Sequence, residues 1–241
     1  MPYGETVGLT RALHPGDCVA AAWATGKFKG LPNLGTIDCK PARPDAQVIK
    51  TATASSPNDA QKNGDSRCAT LLAGTVNAMA DARSYALPPS KQGWEGGTHS
   101  IACLIFNKTT TVDGSIGAFR KFGDPVDLTN SSVGDCYNDT ATATTTTSTL
   151  ARCTSPHDSQ VVGFVTAPAS TTYKTAQDNA NTLCANKYGS SYEHGVNWVK
   201  GYISDEGDWK YGFRHLQCTV ERNDGKKLTS STIAAPESTS S

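Results

Sequence analysis

Gly16-Asp17-Cys18 recurs as Gly134-Asp135-Cys136, and the reading of the whole chain turns on that repetition. Working outward, the cysteines after the first motif are Cys39, Cys68 and Cys103, at steps of 21, 29 and 35. After the second they are Cys153, Cys184 and Cys218, at steps of 17, 31 and 34. Asp45-Ala46-Gln47-Val48-Ile49 matches Asp158-Ser159-Gln160-Val161-Val162. Trp94 and Trp209 each stand nine residues before the fourth cysteine of their half. An Asp-Gly pair comes after each fourth cysteine, at Asp113-Gly114 and Asp224-Gly225. Order, spacing and identity coincide too often for chance, which predicts two tandem homologous domains. Their expected bounds are 5–120 and 132–232, with 121–131 as a linker and 233–241 as a disordered polar tail.

Each half reads as α+β. An apolar run from Cys18 to Trp23 predicts a first strand, Thr36 to Cys39 a second, and Gln47 to Thr51 and Gln160 to Val165 a third. Tyr173, Ala176, Ala180, Leu183 and Cys184 sit at helical spacing, with Gly189 as the expected C′ residue. Cys68, Leu71, Leu72, Val76 and Met79 do the same in the first half. A Trp-bearing segment comes next, then a strand with the fourth cysteine (Ile101 to Phe106, His215 to Val220), and Asp-Gly predicts a turn into a last edge strand. Thr140 to Thr149, rich in Thr and Ala, reads as a loop. The expected unit is a small antiparallel sheet with one packed helix.

The eight cysteines include no short knuckle of the kind that opens zinc sites, so the even, dispersed set predicts disulfides and an oxidising compartment. Two identically wired halves leave three connectivities. First-to-second and third-to-fourth is favoured, because it joins adjacent strands and ties the helix to the strand it covers. The expected bridges are Cys18–Cys39, Cys68–Cys103, Cys136–Cys153 and Cys184–Cys218.

Lys and Arg number 22 and so do Asp and Glu, a net charge of zero that argues against nucleic acid as a partner. No run approaches the ~18 apolar residues of a membrane span. Disulfide chemistry without a visible signal peptide leads to the expectation of a signal or anchor upstream of residue 1.

Gly134-Asp135-Cys136, Cys153, Pro156-His157-Asp158, Val161, Cys184, Trp209 and Cys218 together resemble the septum formation domain. The first half is similar to it more loosely, with Arg43-Pro44-Asp45 in place of Pro-His-Asp. Gln47 and Gln160 stand where the family often has an acidic residue. The resemblance covers most of the chain and implies an extracytoplasmic, non-enzymatic role in the envelope, in a family found mostly in membrane-anchored actinobacterial proteins.

Candidate chemistry is sparse. His157 and Asp158 are adjacent, and strand neighbours face opposite ways, so a turn held by Asp158 and Asp45 is the better reading. Asp17 and Asp135 read as Gly-Asp turns. His14, His99, His194 and His215 show no metal-binding spacing, and no nucleophile elbow or phosphate loop is present, so no catalytic residue, metal or cofactor is expected. Trp94 and Trp209 suit core packing near the helix. The polar-aromatic stretch 192–211 is the candidate binding surface, through Trp198, Tyr202, Trp209 and Tyr211. The expected function is a non-catalytic envelope module that binds an envelope protein or a cell-wall component, the duplication raising avidity. The alternatives are an envelope hydrolase with acidic catalytic residues and a structural subunit of a surface assembly.

Overall fold

A computed structural model describes residues 12–40, 42–142 and 146–233. The chain divides into two compact units, Met1–Arg120 and Lys121–Ser241.

In the first unit β1 (Cys18–Ala22), β2 (Asn33–Ile37) and β3 (Ala46–Thr53) lead into α1 (Pro57–Ala78). Next come β4 (Ala82–Leu87), the short α2 (Lys91–Glu95) and β5 (Ser100–Asn107). The second unit repeats the order with β6 (Cys136–Ala141), β7 (Thr146–Ala151), β8 (Ser159–Thr166) and α3 (Tyr173–Tyr192). It continues with β9 (Asn197–Ile203), α4 (Glu206–Tyr211) and β10 (His215–Arg222). Both sheets are antiparallel, in the orders β2-β1-β3-β5-β4 and β7-β6-β8-β10-β9.

Local chemistry sets the helix starts. Ser56 caps α1 by accepting from the Asp59 amide at 3.1 Å, and Pro57 takes the first turn, where no amide is needed. The Asp59 carboxylate accepts from Ser55, Asn63 and Arg67, which hold its pKa well below the usual range. Thr172 caps α3 in the same way, at 3.1 Å from the Thr175 amide. The buried stripes are Ala60, Gly64, Cys68 and Leu72 on α1 and Ala176, Ala180, Cys184 and Gly189 on α3. These small residues let the helices lie close to the sheet. At Gly201 on β9 an added Cβ would stand 2.2 Å from the Ala180 carbonyl oxygen, so no larger residue fits beneath α3.

Four disulfides close the scaffold: Cys18–Cys39, Cys68–Cys103, Cys136–Cys153 and Cys184–Cys218, the pairing favoured from the sequence. The second bridge of each unit joins the buried helix stripe to the strand that carries the fourth cysteine.

A buried glutamine closes each unit. Gln47 Nε2 donates to the Gly16 carbonyl at 3.0 Å, and Oε1 accepts from the Ile116 amide at 2.7 Å. Gln160 Nε2 donates to the Gly134 carbonyl at 3.2 Å, and Oε1 accepts from the Thr232 amide at 2.6 Å. Each amide ties the turn that opens the sheet to the segment beyond its last cysteine strand. A carboxylate could accept but not donate, which is the physical reason for an amide at these positions.

Several expectations are corrected. The fifth strand does not come after Asp-Gly: it is β4 or β9, between the helix and the Trp segment. Among the described residues, the segment after Asp224-Gly225 forms no strand, its β-pairing being an isolated bridge between Leu228 and His157. Thr140 to Thr149 is not a loop, because β6 and β7 pair through it, as β-branched threonine favours; residues 143–145 lie outside the described residues. The expected linker runs beside β7, with the Gly123 amide on the Leu150 carbonyl at 2.8 Å and a bridge between Pro125 and Thr149. Gly189 does not end its helix; α3 runs on to Tyr192, and the Glu193 amide donates to the Gly189 carbonyl. Leu71 points outward, 41% exposed. Each unit has a second, short helix rather than one helix. Of the expected tail only Ile233 is described, while Ser231 and Thr232 bond Gln160; residues 5–11 are likewise outside the description.

Gln47→Leu, which keeps size but removes both bonding groups, is expected to lower stability by about 1–3 kcal/mol in guanidinium unfolding, because the buried Ile116 amide and the part-buried Gly16 carbonyl lose their partner. An unchanged midpoint would mean that the amide carries no structural load.

Candidate functional site

Each sheet has one face under its helix and one face opposite, and the opposite faces differ in kind. In the first unit that face is apolar. Val19, Ala46, Leu104 and Phe106 lie at its centre, under Leu13 from the segment before β1. Trp23, Phe28 and Tyr85 gather around Phe106, with ring centroids 5.4–5.5 Å from it.

Strand pairing fixes the equivalent positions in the second unit. Val19 pairs with Ala46, and Tyr137 pairs with Ser159. Ala86 pairs with Cys103 and Gly201 with Cys218, so Leu104 corresponds to Thr219, Phe106 to Glu221 and Ala102 to Gln217. By the same register Tyr85 corresponds to Lys200, Leu87 to Tyr202 and Ala21 to Asp139. Leu13 and Ser131 each stand five residues before the first cysteine. Where one unit has an apolar face, the other has hydroxyl, amide, carboxylate and ammonium groups.

These groups form one network. Gln217 Nε2 donates to Ser131 Oγ at 2.8 Å, and the Tyr137 hydroxyl donates to Gln217 Oε1 at 3.4 Å. The Tyr137 hydroxyl also interacts with Ser159 and Thr219, and burial first, then the charges of Asp139 and Glu221, pushes its pKa up. Glu221 accepts from the Tyr202 hydroxyl, from Thr219 Oγ1 at 3.3 Å and from Lys200 Nζ at 2.9 Å. Burial and then the neighbouring Glu221 carboxylate likewise raise the Tyr202 pKa. Asp139 accepts from Ser148 Oγ. Its pKa is raised, mainly by burial and further by Glu221 and Asp158, against the lowering effects of Ser148 and Lys227. Lys200 Nζ lies 4.6 Å from the Trp198 ring centroid, so the rim ring is fixed by a cation. Trp198 and Tyr202 keep 40% and 37% of their surface exposed.

Of the four residues expected at a binding surface, Trp198 and Tyr202 therefore lie on this face. Trp209 does not: it is 5% exposed, packs edge-on against Tyr173 at 6.0 Å and lies under Arg214. The Asp205 cap and the Gly212 turn hold α4 so that Trp209 points into the core, a correction to its place among the ligand residues. Tyr211 is 78% exposed but belongs to α4 rather than to these strands. Tyr137, Asp139, Lys200, Gln217 and Glu221 were not singled out in the sequence. A position-by-position comparison of the two halves was the signal for them.

The remaining candidates are structural. Asp45 accepts from the Ala21 amide at 2.8 Å and Asp158 from the Asp139 amide at 2.9 Å, as turn residues. Asp17 and Asp135 accept from His14 and Ser132 amides at 2.9 and 2.7 Å, next to Gly16 and Gly134 at positive φ. His157 is fully buried, with Nδ1 against the Ser155 carbonyl. Trp94 stacks on His99 at 4.4 Å. No free cysteine is present. A groove of about 650 Å³ lies in the first unit between α1 and the edge strand β4.

The family model described as septum formation matches residues 33–218, more than three-quarters of the chain. The chain belongs to the septum formation family. The matched span begins at the start of β2 and ends on the fourth cysteine of the second unit, so this septum formation protein carries the polar face within it, apart from the last residues of β10. No curated protein matches the chain, and no solved structure does.

The raised Asp139 pKa sets a pH dependence. The folded state holds this proton at higher pH than the unfolded chain does, so folding is favoured at low pH and loses that advantage as pH rises through the folded pKa. Asp139→Asn is therefore expected to raise the thermal midpoint at pH 7 and to have no effect well below the ordinary Asp value of about 3.9. An equal effect at both pH values would contradict the assignment.

Proposed function

We propose that this septum formation protein is a non-catalytic, extracytoplasmic module of the cell envelope whose second unit binds an envelope component through the polar face of β9 and β10. In this reading each unit is one septum formation domain and the two stand in tandem. Four disulfides support a site of action in an oxidising compartment, and family membership supports a cell-division or envelope setting. The observation that carries the reading is the exchange of an apolar face for a polar one on the same strand plan. Burying polar groups costs free energy even when they are bonded, and the first unit demonstrates that the plan needs none. The expense is explained when the polar groups meet a ligand. Since the two faces are unlike, the benefit of two units is a division of labour, support from one and contact from the other, rather than avidity from identical sites.

The hydrolase reading has one specific observation in its favour. Asp139, with its raised pKa, interacts with the Glu221 carboxylate, and an acid beside a carboxylate is the machinery of acid-assisted hydrolysis. Against it, Glu221 is held in a structural ion pair, its two oxygens already accepting from Lys200, Tyr202 and Thr219. Binding remains the first reading.

Cosedimentation of the whole chain with isolated envelope fragments tests it. The chain is expected to sediment with the fragments, and Trp198→Ala/Tyr202→Ala to weaken capture about tenfold or more, the loss of two aromatic anchors. Tyr211→Ala, off the face, should sediment as the parent does. Capture indifferent to the double substitution would rule out this face.

A further inference from the structure

We propose, resting on the binding reading above, that the ligand of this face is a neutral oligosaccharide lying along β9. A sugar ring has an apolar C–H face and a rim of hydroxyl groups. A surface that recognises it needs flat aromatic rings for the first and paired donors and acceptors for the second. Trp198 and Tyr202 supply the rings. Asp139, Glu221 and Lys200 offer the acceptors and donor beside them, over a floor that includes Gln217 and Thr219.

Other ligand classes fit less well. Two lysines, Lys200 and Lys227, lie among Asp139, Asp158 and Glu221, and both are already ion-paired, so the face has no cationic excess for a polyanion. Among the described residues its exposed rings, Trp198 and Tyr202, are separated by Lys200 and stand beside Glu221, which suits a lipid surface or an amphipathic helix poorly. A strand-adding peptide needs a sheet edge, and the edge at β9 is partly occupied: Asn181 Oδ1 accepts from the Gly201 amide at 2.9 Å, and α3 lies against that glycine.

Two features narrow the class. First, the polar groups are held before any ligand arrives, because Tyr202 and Lys200 converge on Glu221 and Lys200 fixes Trp198. Little side-chain freedom is left to lose, which suits a ligand whose individual contacts are weak. Second, Trp198 and Tyr202 are four residues apart on one strand and face the same way, a span of roughly 13 Å. One sugar ring cannot touch both, so the site reads a chain rather than a monosaccharide.

Calorimetric titration of the whole chain with β-1,4-linked tetramers of glucose and of N-acetylglucosamine, and with both monosaccharides, tests the ligand class. A parallel arm measures cosedimentation with envelope fragments that have been delipidated and stripped of protein by protease. At least one tetramer or the stripped fragments should bind, with monosaccharides about tenfold weaker or silent. Trp198→Ala and Glu221→Gln should each lower that binding about tenfold, Trp198→Phe should restore most of it, and Tyr211→Ala should leave it unchanged. A guanidinium midpoint for each variant, matched to the parent, separates lost contact from lost fold, and Trp198→Phe serves where Trp198→Ala is unstable. The proposal is overturned if neither the tetramers nor the stripped fragments bind, or if they bind without dependence on Trp198 and Glu221. If intact fragments still capture the chain through Trp198 while saccharide and stripped fragments do not, the ligand is a protein or lipid and only the saccharide assignment falls. If Trp198 matters to neither, the face itself is refuted.

Discussion

The bond between Cys184 on α3 and Cys218 on β10 is the constraint on which the second unit depends. The first unit is held by two apolar layers, one between α1 and its sheet and one on the opposite face around Phe106. Among the described residues of the second unit the apolar clusters lie under its helix, one around Val162 that includes the cysteine pair and one around Trp209. Its other face contributes hydrogen bonds and ion pairs, which return little net free energy after desolvation. Closing a 34-residue separation by a covalent bridge contributes roughly 3–4 kcal/mol in the chain-entropy account, on the scale of a small domain's whole stability. The bridge thus offsets the absence of a second apolar layer.

That division explains why two units share one strand plan and differ where it matters. Positions beneath the helices stay apolar in both, and at Gly201 the approach of α3 leaves no room for a side chain. The buried glutamines also stay, because each satisfies backbone groups at both ends of its unit. On the opposite face no helix limits the choice of side chain, and Phe106 in one unit stands where Glu221 does in the other. Freedom to change is concentrated on the face away from the helix, which carries an apolar layer in the first unit and a polar network in the second.

Much of the scaffold is legible in the sequence, and the reasons are physical. The repeat cuts the disulfide wiring to three connectivities, the expected neighbours of strand and helix favour the observed one, and Tyr173 to Cys184 announces its helix by spacing. The strand after each helix is not legible in the same way: Ala82–Leu87 and Asn197–Ile203 mix small, charged and aromatic residues without clean alternation. The hairpin at Cys136–Ala151 hides behind threonine, which suits loops and strands alike. The candidate face was harder still. Trp198 and Tyr202 stand out as aromatics, but Glu221 joins them only when β10 is set beside β9 in register, and a bulge between Cys218 and Thr219 shifts the pairing with β8. Trp209 is buried, as the core-packing reading expects, and misleads only as a member of the aromatic stretch 192–211, because the turn of α4 aims it inward.

Hydrogen exchange on the whole chain, comparing Cys184→Ala/Cys218→Ala with Cys68→Ala/Cys103→Ala, addresses the dependence directly. Loss of the second-unit bridge should collapse protection across β8, β9 and β10, whereas loss of its counterpart should leave β3 and β5 largely protected by their two apolar layers. Equal loss of protection in both units, or persistence in the second, would contradict the account.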